Sequence, residues 1–79
     1  MLVSNFETLK RKISQGTHDF YIQLNYGARS SKFIDYNTRT HMFHVMHEID
    51  GSEEDMTERE LLKSNIGKAL CEGSLFYYD

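Results

Sequence analysis

The sequence predicts a small α+β domain: an N-terminal helix, a three-stranded antiparallel meander, a C-terminal helix and an optional short terminal strand. Three observations carry this. Apolar residues recur at three- and four-residue spacing near the N-terminus, the period switches to two at residue 19, and the predicted strands sit together between helical stretches. The 79 residues are read as one domain spanning 1–79. A chain this short buries only about 60% of its unfolded surface. The lone Cys71 closes no internal disulfide and no zinc-site spacing is present, so the fold rests on its core. Five Phe and five Tyr suit that task, because large rings bury much area per residue.

The first helix is expected over residues 5–15. Ser4 and Glu7 have the spacing of a capping box. Phe6, Leu9 and Ile13 form one face, and Gly16 is placed to end the helix in the left-handed conformation. A strand over 19–26 follows, with Phe20, Ile22, Leu24 and Tyr26 inward. Residues 27–30 form a turn, 31–36 the second strand and 37–40 a second turn. The third strand is expected over 41–49, with His41, Phe43, Val45, His47 and Ile49 on the core face. Residues 50–55 are an acidic loop. Thr57 and Glu60 then make a second capping box, opening a helix that runs to Gly73. Ser64-Asn65 is a weak helical stretch, so the helix either bends there or Ser64 caps a separate short helix. Residues 74–78 form either an edge strand or a segment packed on the core.

The motifs exclude more than they assign. His41, His44 and His47 suggest a metal site, but on a strand His44 faces away from the other two. Those two lie roughly 20 Å apart at about 3.3 Å per residue, so no metal is expected. The acidic loop lacks the alternating ligands and closing glutamate of an EF-hand. No nucleophile elbow, phosphate loop or metalloprotease helix is present, and Cys71 sits late in a helix beside Glu72, which disfavours a thiolate. The chain is therefore read as non-catalytic, without catalytic residues or cofactor.

Met1-Leu2-Val3 turns polar at Ser4, unlike a signal peptide, and no apolar run approaches the roughly 20 residues that span a bilayer. With one free cysteine, this predicts a cytoplasmic protein without membrane contact. Residues 1–46 carry six Lys/Arg against three acids, and residues 47–79 carry three against nine.

The second sheet face is the candidate site. Tyr21, Gln23, Asn25, Phe33, Met42, His44 and Met46 are expected to share it, and four of these are large apolar groups. A solvated antiparallel face is usually polar, and contiguous apolar area tends to mark an interface. The chain's own tail or second helix covers it, or a partner does. The leading functional reading is a small interaction protein that binds a protein partner or another copy of itself. Its partner-binding residues are Tyr21, Phe33, Met42, His44, Met46, Arg29, Lys32 and Arg39. The two open edges of the meander offer a further route to a homodimer. The alternative is single-stranded nucleic acid, stacked on Tyr21 and Phe33 and held by Arg29, Lys32 and Arg39 in or beside the turns.

Overall fold

The fully buried side chains of one sheet lie on a single face, and every helix packs on that face. The computed structural model describes residues 1–78; Asp79, the last residue of the expected domain, lies outside them. The order is α1 (Phe6–Ser14), β1 (Asp19–Gln23), β2 (Arg29–Asn37), β3 (Met42–His47), β4 (Ser52–Met56), α2 (Glu58–Lys63), α3 (Asn65–Glu72) and β5 (Leu75–Tyr77). The five strands form one antiparallel sheet in the order β4-β3-β2-β1-β5. The α+β class and the helices at both ends are as predicted, with five strands instead of three.

The extra strands show what the pattern concealed. Residues 52–56 are not a loop but β4, paired with β3 from Phe43↔Met56 to His47↔Ser52. Glu and Asp disfavour strands, and only Met56 of this segment is buried. Pairing beside two histidines offsets that preference. The tail is an edge strand, paired with β1 from Phe20↔Tyr77 to Ile22↔Leu75. It extends the sheet beyond β1 and does not run across its second face. Residues 1–3 pair in turn with β5, through Val3 N–H to the Leu75 carbonyl at 2.8 Å and Tyr77 N–H to the Met1 carbonyl at 2.9 Å. Neither edge of the meander is therefore open. Among the described strands β4 is the one with an unpaired edge, and a second copy there would set Glu53, Glu54 and Asp55 against the same acids.

Helix α1 is capped by Asn5, not Ser4: the Asn5 side chain accepts from the Thr8 N–H at 2.9 Å. Gly16, at φ 93, closes it as expected, with Gly16 and Thr17 donating to the Ile13 and Lys12 carbonyls. The Thr57–Glu60 capping box forms, and its hydrogen bonds hold the Glu60 carboxyl below its ordinary pKa. Ser64 caps a separate helix, accepting from the Ile66 N–H. The resulting elbow turns α3 back onto the sheet.

The core joins Phe20, Ile34, Phe43, Val45, Met56 and Leu75 of the sheet to Leu9 and Ile13 of α1, Leu61 of α2, and Ile66, Ala69 and Leu70 of α3. Three expected core positions lie elsewhere. Strand β1 stops at Gln23, and Tyr26 is 80% exposed in a turn closed by Leu24 N–H to the Ala28 carbonyl. Strand β3 stops at His47, so Ile49 is 72% exposed in a turn ending at Gly51. His41 is exposed in the β2–β3 turn at φ 58. Among the described residues no helix is long and apolar enough to cross a membrane.

Candidate functional site

Register assembles the outer face. Directly opposed residues of antiparallel strands point to the same side. Phe33 stands opposite Met46 and Asp19, Met46 opposite Glu53, and His44 opposite both Asp35 and Asp55. Tyr21 stands opposite Phe76 and Ser31. Because the helices' buried residues all join the core on the other side, no helix covers these groups.

One end of the face is aromatic. Tyr21 stacks on Phe76 with centroids 5.3 Å apart and planes 10° from parallel, and Tyr78 leans on Tyr21 at 4.9 Å. The Tyr78 hydroxyl is 2.8 Å from the Ser31 hydroxyl, which fixes the second ring. The Arg29 guanidinium lies 4.4 Å over Tyr21, a cation–π contact. Next along the face, His18 stacks on Phe33 at 5.4 Å and approaches Asp35 at 3.4 Å. Met46 and Met42 continue the strip, each half-buried.

The other end is charged. His44 Nδ1 lies 2.9 Å from Asp55 and Nε2 lies 2.9 Å from Glu53. Both ring nitrogens face carboxylates, so the imidazolium, with two donors, satisfies both. The hydrogen bond to Asp55, then that to Glu53, raises the His44 pKa above its ordinary 6.5. A raised folded-state pKa adds stability that is complete below 6.5 and fades as pH rises through the raised value. The melting temperature of the wild type is thus expected to exceed that of His44→Gln below the ordinary histidine pKa of 6.5, with the gap closing as pH rises through the raised value. The pair is 41% and 56–64% exposed, so the effect is small. A gap that stays constant across this range would remove the imidazolium from the account.

Six of the eight expected binding residues meet on this face: Tyr21, Arg29, Phe33, Met42, His44 and Met46. Two do not. Lys32 stands opposite Phe20 and His47 on the core side and is 8% exposed. Arg39 sits in the turn at the far end of β2 from Arg29, some 27 Å away along that strand at about 3.3 Å per residue. Of the three cations expected in or beside the turns, Arg29 alone stands within the aromatic end of this face. His18, Phe76, Tyr78, Glu53 and Asp55 join the face without having been anticipated. Phe76 and Tyr78 were readable as a period-two pair. Glu53 and Asp55 required the register of a strand whose composition hid it.

The three histidines of 41–47 lie in three places: a turn, the outer face and the core face. Among the described residues no group of three or more His, Cys, Asp or Glu is arranged to hold a metal. Comparison of this chain with protein-family models, with curated proteins and with solved structures returns no match.

Proposed function

We propose that this protein is a non-catalytic interaction module that takes a protein partner, another copy included, on its outer sheet face. The observation that carries this reading is the strip Tyr78–Phe76–Tyr21–Phe33–Met46. It is a run of large apolar side chains across the sheet on the side that no helix covers. Aromatic residues, Met and Arg are the types enriched at interface centres. Five strands about 4.8 Å apart and some five residues long make a face of roughly 400 Å². A standard stable interface takes about 800 Å² per partner. The face alone therefore suits a weak, transient association.

Nucleic acid fits less well. Tyr21 and Arg29 form a stacking platform, but Asp19, Asp35, Glu53 and Asp55 share the face and repel phosphate. Retardation of a labelled single strand that weakens with salt would favour this second reading.

Phe33→Ser and Met46→Ser test the proposal. Each is expected to leave the circular dichroism spectrum unchanged, with stability within about 1 kcal/mol of the wild type. Each is also expected to abolish either concentration-dependent sedimentation or capture of a partner on the immobilised protein. Unfolding by either change would make this face core, and a monomer that captures nothing the variants lose would also defeat the proposal.

A further inference from the structure

The displaced Lys32 points to a second site. It is the only buried charged side chain among the described residues, at 8% exposure. Its single hydrogen bond is to His47 Nδ1, at 2.9 Å. Every ion pair among the described residues uses a histidine, and none includes Lys32. An ammonium has three donors, so Lys32 is a buried cation with one bond and no contacting carboxylate. Burial pushes its pKa down, against the pull of the more distant Asp50 and Glu54. A charge held this way is costly unless an opposite charge joins it.

Lys32 lines a cleft of about 430 Å³ where α3 crosses the β1–β2 end of the sheet. That volume falls within the usual range for small-ligand sites. Lys68 and Asn65 of α3 line the same cleft, together with Ser30 of β2. Glu72 is the one carboxylate there. Lys32 and Lys68 thus line one cleft, and among the described residues no carboxylate touches Lys32; Glu54 reaches it only through His47, whose Nε2 lies 3.6 Å from that carboxylate. We propose that this cleft binds a small oxyanion, a carboxylate or phosphate group, held by the ammonium groups of Lys32 and Lys68.

The test is amide-resolved NMR titration of the full chain with inorganic phosphate and, separately, with acetate. Saturable shifts are expected at Ser30, Asn65 and Lys68 at millimolar concentration, and the anion that saturates identifies the group recognised. Lys32→Met, which keeps the stem and removes the charge, is expected to weaken binding roughly tenfold to a hundredfold. Lys68→Met, on the exposed side of α3, is expected to weaken it several-fold with melting unchanged, and it decides the matter if Lys32→Met loses the fold. Lys12→Met, remote from the cleft, is expected to leave it unaltered. No saturable shift with either anion, or binding that survives Lys68→Met unchanged, would overturn the proposal.

Discussion

Gly67→Ala is expected to destabilise this protein by about 3 kcal/mol or more. Gly67 is buried in the first turn of α3, directly after the Ser64 elbow. A Cβ there would overlap the backbone carbonyl of Leu62 in α2. The obstruction is main chain, so no side-chain rotation relieves it. Only opening of the elbow does, and that lifts Leu61 or Ile66 from the core, where they are 0% and 1% exposed. A chain of this length has a total stability of about 4–12 kcal/mol, so the variant stands near unfolding at room temperature. Gly27→Ala is the control. Gly27 has a positive φ of 83 but open space around it, so it pays only for its backbone conformation, about 1–2 kcal/mol. Urea denaturation of both variants checks this. A Gly67→Ala loss no larger than that of Gly27→Ala would mean the elbow opens freely.

Phe43→Ala is expected to cost about 3–5 kcal/mol. Phe43 is 1% exposed and ties three elements together. It meets Phe6 of α1 edge-on at 5.6 Å, leans on Tyr36 of β2 at 4.7 Å, and stands opposite Met56 of β4. Truncation leaves a cavity that neither ring fills without moving α1 or the β2–β3 pair. A double-mutant cycle with Phe6→Ala is expected to show a coupling of about 0.5–1.5 kcal/mol from the edge-on pair. Unfolding curves that superimpose on the wild type, or strict additivity in the cycle, would contradict this role.

Both sites bear on how much of the protein was legible from its residues. Phe43 was placed on the core face by its alternation with Val45, and that placement needed only the two-residue period of a strand. The break at Ser64 was also local, because Ser competes for backbone hydrogen bonds within a helix and satisfies them at its start. Gly67 carried no such signal: its role depends on a carbonyl five residues earlier, brought back by the elbow. Strand β4 was hidden for a similar reason. Its acids disfavour a strand individually, and His44, 2.9 Å from Glu53 and Asp55, with His47, 3.6 Å from Glu54, offsets that preference.

The candidate site divides along the same line. Tyr21, Phe33, Met42, His44 and Met46 shared a face by parity, and parity is local. Lys32 has the parity of Ile34, on the core side, yet charge and turn proximity suggested a surface role. Its burial follows from the α2–α3 elbow closing over that end of the sheet, beside Asn65. What the sequence by itself determined was the class of α1, of the strands β1 to β3 and of the helical stretch that opens at Thr57, together with the two faces of the meander. These depend on helical and strand periods within short windows. Only the tertiary structure decided that β5 and residues 1–3 close one edge, that β4 guards the other with acids, and that no carboxylate among the described residues contacts the buried Lys32. Those outcomes depend on which distant backbone groups meet, and no local period encodes that.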